Sequence, residues 1–210
     1  MRDVDFGLSQ ELITLLLEAN ALRFGEFTLK SGETSPFFVN LGEVARGRHL
    51  LRLSELIATV VSREFPNATV LFGPAYKGIG LVALAAAELA RAHATDIGTC
   101  YNRKETKAHG EGGVLVGVQP TSDDRVVVID DVISSGLTKL EAVELLTQSG
   151  VKPVGIIVFV DRRRRSARTT SELAGVPLVA ISSLEDLAKT LEARGDPRAK
   201  AIRDFYEGQT

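Results

Sequence analysis

The chain has little cysteine and little net charge. Among its 210 residues there is one cysteine, Cys100, and the formal net charge is −2. A single cysteine cannot form an intramolecular disulfide, which is typical of a protein from a reducing compartment. Cys100 lies in an apolar-flanked run with no obvious histidine partner, so we expect a buried structural thiol. A nearly neutral chain has no general attraction to nucleic acid or to a membrane surface.

Long hydrophobic runs are also missing. The apolar stretches 12–17 and 81–89 are much shorter than the roughly 20 residues that a helix needs to cross a bilayer. Acids at Asp3 and Asp5 do not fit a secretory signal peptide. We therefore expect a cytoplasmic protein without a membrane segment. The length suits one α/β domain with a sizeable core, with or without a small cap.

Several catalytic patterns are absent as well. No Gly-x-Gly-x-x-Gly follows an early strand, and the glycines of 73–80 have the wrong spacing for a dinucleotide-binding loop. There is no Ser-His-Asp or Cys-His arrangement and no dedicated metal-ligand cluster. These absences argue against a Rossmann dehydrogenase and against nucleophilic catalysis by the protein.

What the chain does contain is an alternation of helical and strand patterns from about residue 48 onward. This alternation predicts an open, mainly parallel sheet flanked by helices on both faces. Helices are predicted over 9–22 with Ser9 as N-cap, over 48–64, from the end of the 73–80 loop to about 91, over 137–149, between 165 and 177, and from Ser183 to about 193. Strands are predicted over 69–72, 96–102, 114–116, 126–129, 154–160 and 177–181.

A β-hairpin is predicted before this alternation begins. Two short β-prone runs within 24–40 flank a Ser-Gly-Glu-Thr-Ser turn. We expect the hairpin to form a small N-terminal hood. The hypothesis is therefore one domain, 1–210, with a hood formed mainly by about 1–45 and a core of about 46–210.

The most informative segment is 126–138. Four aliphatic residues run into Asp130 and Asp131, and a hydroxyl-rich turn containing Gly136 leads into a helix. This pattern predicts a buried strand that ends in two carboxylates beside the N-terminus of a helix, which suits a phosphate. Carboxylates for ribose hydroxyls and amides for a 5′-phosphate would together bind a phosphorylated sugar. The plainer alternative is an N-cap with a solvated neighbour.

A second unusual segment is the polar loop 101–113. It carries four potential cations and three glycines: Arg103, Lys104, Lys107, His109, Gly110, Gly112 and Gly113. Taken alone, such a loop is usually a solvated surface. Beside a sugar-phosphate motif it predicts an anion-binding lid that hinges at its glycines.

These segments together resemble the orotate phosphoribosyltransferases, which are type I phosphoribosyltransferases. The resemblance is carried by segments 24–32, 35–38, 73–78, 103–112 and 126–138, in that family's order and spacing. It covers roughly residues 9 to 182. The 126–138 motif alone resembles only the wider family, whose members use phosphoribosyl pyrophosphate (PRPP), whereas the basic loop and the hairpin are much narrower signals.

The resemblance implies a magnesium-dependent transfer of phosphoribose from PRPP to orotate in pyrimidine biosynthesis. Its implied catalytic residues are Lys107, Arg103 and His109. Its implied PRPP-binding residues are Lys30, Tyr76, Lys77, Arg103, Lys104, Lys107, His109, Asp130, Asp131, Val132, Ile133, Ser134, Ser135, Gly136, Leu137 and Thr138. Its implied orotate-binding residues are Lys30, Phe38, Ser134 and Arg162.

The resemblance also implies a magnesium ion held mainly by PRPP, with Asp130 and Asp131 touching it only through water. No protein metal ligand is expected. A homodimer is implied, in which the basic loop closes over the neighbouring subunit's site. The chain departs from the family's pattern at Val39, where a second aromatic is common, and at Ser134-Ser135, a conservative change.

The remaining candidate residues have ordinary interpretations. We expect Arg163, Arg164 and Arg165 to form a solvated cationic patch, and one of Phe37 and Phe38 to belong to the core. His49 and His93 have no constellation around them and are expected on the surface.

Two other functions remain open from the residues. One is a phosphoribosyltransferase with a purine or uracil acceptor, for which a cation at the base site has little use. The other is a regulatory protein that senses PRPP without catalysis. The cations of the 103–109 loop argue against this second function.

Overall fold

Ten strands and six α-helices are formed by the residues that this computed structural model describes, 2–29, 32–104, 114–168 and 172–208. The helices are α1 (Phe6–Glu18), α2 (Gly47–Glu64), α3 (Lys77–His93), α4 (Leu137–Gln148), α5 (Leu184–Ala193) and α6 (Ala199–Glu207). The strands are β1 (Arg2–Asp3), β2 (Leu22–Thr28), β3 (Thr34–Val39), β4 (Val70–Phe72), β5 (Gly98–Asn102), β6 (Leu115–Gly117), β7 (Val126–Ile133), β8 (Gly155–Asp161), β9 (Glu172–Leu173) and β10 (Val176–Ser183).

The main sheet has the order β1-β10-β8-β7-β4-β5-β6, and β9 pairs with β10 outside this path. Its pairings are parallel except for β5 with β6 and β9 with β10. The predicted mainly parallel sheet is confirmed. Its central strands end at one edge, which is where open α/β sheets bind their ligands.

Hydrophobic side chains alternate between the two faces of the central strands. In β7, Val127 and Ile129 pack into a cluster with α1, α2, α3, α5 and α6. Val126 and Val128 pack on the opposite face, against α4. Because both faces are covered, these strands consist of continuous aliphatic residues, as is typical of parallel sheets.

The predicted hairpin is the antiparallel pair β2 and β3, which forms a separate small sheet. Phe37 points inward and meets Phe205 of α6 edge to face, with 5.4 Å between ring centroids. Phe38 points to the other side and stacks on Phe27, with 5.6 Å between centroids. One of the two adjacent phenylalanines is therefore core, as expected, and the other is exposed.

The first residues do not all lie with the hairpin. β1 pairs with β10 in the main sheet, and α1 packs in the same hydrophobic cluster as α5. The division of the chain into a hood and a core near residue 45 stays a prediction.

Two local predictions are wrong. No α-helix lies in the described part of 165–177, where Arg165–Ala167 forms a single 3₁₀ turn and β9 turns back onto β10. That reversal is made by Ala174 and Gly175, both with positive φ, which suits a tight hairpin turn and not a helix. Ser9 is not an N-cap, because α1 begins earlier and is capped by the Asp5 side chain.

The structure also tests the burial predicted for the cysteine and for two histidines. Cys100 is buried, as predicted, and burial raises the pKa of its thiol to about 12. His93 is exposed, as expected, but His49 is buried near the start of α2. Helix α6 had no separate prediction, although Ala199, Ile202, Phe205 and Tyr206 follow helical spacing.

Within the described ranges, no helix is long and apolar enough to cross a membrane.

A first prediction concerns Gly155, the first residue of β8. A Cβ atom there would lie 2.0 Å from the Phe65 ring. We expect Gly155→Ala to lower the free energy of unfolding by about 1–3 kcal/mol, since the ring must move. Gly80→Ala is the matched control, because nothing lies within 4 Å of a Cβ at that helical position. The free energy of unfolding of this control should rise by about 0.5–1 kcal/mol. Urea unfolding measures both, and equal stabilities would contradict the close packing.

Candidate active site

Four neighbouring parallel strands deliver polar residues to one edge of the sheet. They are β8, β7, β4 and β5, which are adjacent in that order. A backbone hydrogen bond from the Arg162 N–H to the Ile133 carbonyl, 2.8 Å, continues the pairing of β7 and β8 beyond the strands. The segments after these strands therefore meet at one place.

The two acids at the end of β7 point in different directions. Asp130 faces α4 and pairs with Lys139 at 2.7 Å, where both side chains are buried. Asp131 faces α3 and pairs with Lys77 at 2.6 Å. Lys77 is 52% exposed, so its partner can exchange with solvent or a ligand. The carboxylates thus differ in how firmly they are held.

The turn 134–138 leads into the N-terminus of α4. Gly136 has φ +83°, which a residue with a side chain rarely adopts. Ser134, Ser135, Leu137 and Thr138 are exposed around it. The first amides of a helix have no partner within the helix, so this turn presents N–H donors and hydroxyls at the positive end of a helix dipole. Such a turn suits a phosphate.

The loop after β4 is closed tightly on itself. A Cβ atom on Gly73 would lie 2.2 Å from the Gly78 carbonyl oxygen, so a larger residue does not fit. The Ala75 N–H donates to the Asn102 side chain over 2.8 Å, and the Ala75–Tyr76 peptide bond is cis. Tyr76 is left exposed beside the site.

Two cations stand at the end of β5. The Lys104 ammonium lies 4.5 Å from the centre of the Tyr76 ring. Arg103 is half-buried, and its Nε is buried without a hydrogen-bond partner among the described residues. Lys104 therefore lies beside the loop after β4, and Arg103 directly precedes it in the chain.

Arg162 is a buried cation at the end of β8. Its Nη2 donates to the Ser35 hydroxyl over 3.2 Å, and its guanidinium lies 4.9 Å from the centre of the Phe37 ring. Its Nε is buried with no partner in the described part of the chain. Burial lowers the pKa of Arg162, and the charge of Glu33 acts in the opposite direction. Arginine keeps its charge in proteins, so this buried cation favours an anionic ligand.

The arginines after Arg162 are not one solvated patch. Arg163 is buried and binds Asp161 through two side-chain hydrogen bonds of 3.0 and 2.9 Å, and Arg168 joins the same carboxylate at 3.3 Å. Arg164 pairs with Glu33 and lies over the Phe205 ring. The predicted solvated position is confirmed only for Arg165, whose side chain is 70% exposed. Sequence reasoning failed because the partner Asp161 belongs to the buried strand.

Four residues in or near the site were missed. Asn40 lies 3.5 Å from the Lys77 ammonium, and Asn102 holds the Ala75 amide. Lys139 pairs with Asp130 from a buried position, and the buried Asp161 pairs with Arg163, the neighbour of Arg162. Their positions in the sequence could have identified them. Asn40, Asn102 and Asp161 each lie at or just after the end of a strand, and Lys139 directly follows the 126–138 segment.

Three predicted site residues, Lys30, Lys107 and His109, lie outside the residues that the structure describes. Their roles stay predictions.

Metal ligands are sparse in the described part of the chain. No group of three or more histidine, cysteine, aspartate and glutamate side chains there could hold a metal ion. Asp130 and Asp131 are each engaged by a lysine. This donor set suits a magnesium ion that arrives on a phosphorylated ligand better than one held by protein ligands alone.

The Asp161 cluster generates a second prediction. Asp161→Asn should lower the free energy of unfolding by about 3–5 kcal/mol, because Arg163 then stays buried without its carboxylate. Asp96→Asn is the control, since Asp96 is exposed. Its unfolding free energy should change by less than about 0.5 kcal/mol. Denaturant unfolding checks both, and a loss below about 1 kcal/mol for Asp161→Asn would contradict the interpretation.

Comparison with known proteins gives consistent matches. A family model described as the phosphoribosyl transferase domain matches residues 42–173. The orotate phosphoribosyltransferase of Pseudomonas aeruginosa is 43% identical over 208 residues, which cover 94% of this chain and 97% of that protein. That of Thioalkalivibrio sulfidiphilus is 40% identical over 203 residues, which cover 93% and 94%.

A solved structure agrees. The orotate phosphoribosyltransferase of Francisella tularensis is 30% identical, with a TM-score of 0.77, and the match covers 93% of this chain and 97% of that one. The fold class expected from the sequence is therefore confirmed. The sugar-phosphate motif lies at the expected edge of the sheet, and the relatives match over nearly their whole length. The chain belongs to the phosphoribosyltransferase family and, within it, to the orotate phosphoribosyltransferases.

Proposed function

We propose that this protein transfers the phosphoribosyl group of PRPP to orotate, which forms orotidine 5′-monophosphate and pyrophosphate in pyrimidine biosynthesis. The observation that carries the proposal is the buried Arg162 guanidinium beside the 134–138 turn, with its Nε unpartnered among the described residues. Orotate is an acidic pyrimidine whose carboxylate would satisfy this cation. Adenine, hypoxanthine and uracil carry no carboxylate.

The acceptor half of the site would lie between the hairpin and the end of β8. Arg162 is tied to the hairpin through Ser35, so the cation and the hairpin form one wall. Phe38 is exposed on the opposite face of β3 from Phe37, and we propose that it contacts the pyrimidine ring. Ser134 would lie near the same base, and Lys30 near both substrates.

The donor half would lie over the end of β7. Asp130 and Asp131 would accept hydrogen bonds from the ribose hydroxyls. The amides and hydroxyls of 134–138 would hold the 5′-phosphate at the N-terminus of α4. Tyr76 and Lys77 would contact the pyrophosphate. The Lys77–Asp131 pair is consistent with this, because a half-exposed lysine can leave its carboxylate for a phosphate.

The chemistry requires a departing anion to be stabilised. A ring nitrogen of orotate forms a bond to the anomeric carbon and loses its proton to water or to the departing pyrophosphate. The bond to pyrophosphate breaks with its electron pair leaving on the pyrophosphate. The transition state resembles an oxocarbenium ion, so the protein needs no nucleophile. Arg103, Lys107 and His109 would stabilise the leaving charge, and Lys104 would assist them. Closure of their loop would exclude water.

Magnesium, assembly and location complete the proposal. A magnesium ion held mainly by PRPP would supply positive charge for the leaving group, and Asp130 and Asp131 would interact with it through water. We propose a cytoplasmic homodimer in which the basic loop of one subunit covers the site of the other. The reduced, buried Cys100 is consistent with that compartment.

The experiment that tests the function is a turnover assay. The protein is mixed with PRPP, magnesium and orotate, and the loss of orotate absorbance is followed. Adenine, hypoxanthine and uracil serve as competing acceptors. Among these four acceptors, we expect turnover only with orotate. No turnover with orotate, or a faster reaction with another base, would overturn the proposal.

A third prediction concerns acceptor recognition. Arg162→Met should raise the KM for orotate on the order of 10- to 100-fold, because a charged hydrogen bond is lost, and should change PRPP binding little. The matched control is Arg165→Met from the same arginine run, which is exposed and paired with Glu207. The control should keep both KM values. If Arg162→Met behaves like the control, Arg162 does not bind the acceptor.

A fourth prediction concerns leaving-group stabilisation. Lys107→Ala should lower turnover on the order of 100- to 1,000-fold, because a cationic contact in the transition state is lost. PRPP binding should weaken far less. Steady-state and single-turnover rates measure the first effect, and calorimetric titration with PRPP the second. Unchanged rates would remove Lys107 from the catalytic role.

A further inference from the structure

Lys139 is a charged side chain buried behind the sugar-phosphate motif. Only 4% of it is exposed. Lysine is almost never buried so deeply unless it is paired, because taking an ammonium group out of water is unfavourable. Lys139 also stands in the first turn of α4, where the helix dipole disfavours a cation. Specific acceptors must therefore compensate for its position.

The Lys139 ammonium contacts three oxygen groups, one through an ion pair and two through hydrogen bonds. They are the Asp130 carboxylate at 2.7 Å, the Val132 carbonyl at 2.5 Å and the Thr138 hydroxyl at 3.1 Å. These acceptors come from the acid pair, the end of β7 and the end of the turn. One ammonium group therefore joins the beginning and the end of the motif.

The Asp130 carboxylate is held from two sides. Its Oδ2 forms the ion pair with Lys139, and its Oδ1 accepts a hydrogen bond from the Asp131 N–H over 2.8 Å. The carboxylate consequently has a defined orientation before any ligand arrives. Asp131 differs, because its lysine partner is half-exposed. The site thus has one fixed acid and one exchangeable acid.

The stability of the fold alone does not explain why Lys139 and Asp130 form a buried ion pair. Replacing a buried ion pair by apolar residues of similar volume is often neutral or stabilising. A buried pair that positions a ligand-binding group has a stronger reason to be present, because orientation in advance lowers the entropy lost on binding.

We infer that Lys139 is a positioning residue of the donor site. It orients the Asp130 carboxylate and ties it to 132–138, so that the acceptor for ribose hydroxyls and the donors for the 5′-phosphate are assembled before PRPP binds. This inference rests on the proposed function, because it assigns Lys139 to the PRPP half of that site. Lys139 itself does not touch the substrate.

The first test replaces Lys139 by an apolar residue of similar length. Lys139→Met should raise the KM and the calorimetric Kd for PRPP about tenfold or more, while kcat and the KM for orotate change less than about threefold. Lys152→Met is the matched control, since this exposed lysine lies beyond the other end of α4. It should match the wild type. An unchanged PRPP KM in Lys139→Met, or equal rises for PRPP and orotate, would overturn the inference.

The second test asks whether Lys139 acts through Asp130. In an Asp130→Asn background, Lys139→Met should change the KM for PRPP by less than about twofold, because the carboxylate that it orients is gone. A merely structural lysine would cause the same loss in both backgrounds. That result would overturn the positioning role.

A third variant keeps the test decisive if Lys139→Met does not fold. Lys139→Arg retains the charge, but its planar guanidinium cannot make the same ion pair and hydrogen bonds from one point. Its PRPP KM should rise while its orotate KM stays unchanged, and a wild-type PRPP KM would overturn the inference. Wild-type protein that binds no PRPP in calorimetry would instead defeat the proposed function.

Discussion

The parallel pairing of β7 with β8 is the constraint on which the site depends. Both strands are aliphatic and buried on both faces, and their register runs through Ile133 opposite Asp161. A slip of one residue would turn every side chain to the other face of the sheet. The observed register of this pairing therefore sets where the acids of β7 end relative to Arg162. Two segments that are distant in sequence become the donor and acceptor halves of one site.

The charges around this edge divide into fixed and available groups. Asp161 is held by Arg163 and Arg168, and Asp130 is held by Lys139. These buried pairs give the strand ends a rigid arrangement, since removing either partner would leave a charge without compensation. Arg162 has no carboxylate within ion-pair distance among the described residues, and Asp131 has only a half-exposed partner. The available charges are therefore those that a phosphorylated sugar and an acidic base can use.

Much of the fold was predictable because its signals are local. Aliphatic runs, helical periodicity and the Ser183 cap lie within short windows, and the structure agrees with them. The wrong helix within 165–177 was a failure of the same method, because a two-residue turn outweighed helical propensity there. Arg163 and His49 were misplaced for a different reason. Their burial depends on partners and packing elements that no local pattern reveals.

The sequence by itself determined the family, the sheet type and the residues that carry the sugar-phosphate motif. It did so because strand, turn and helix signals follow one another directly in 126–138. Only the tertiary structure decided that Asp130 and Asp131 face opposite sides of the sheet, that Lys139 is buried behind one of them, and that Arg162 meets the hairpin at Ser35. Those relations depend on how distant segments pack. Packing decides which charges are buried, and burial decides how strongly each charge interacts with its partners, which residue order does not show.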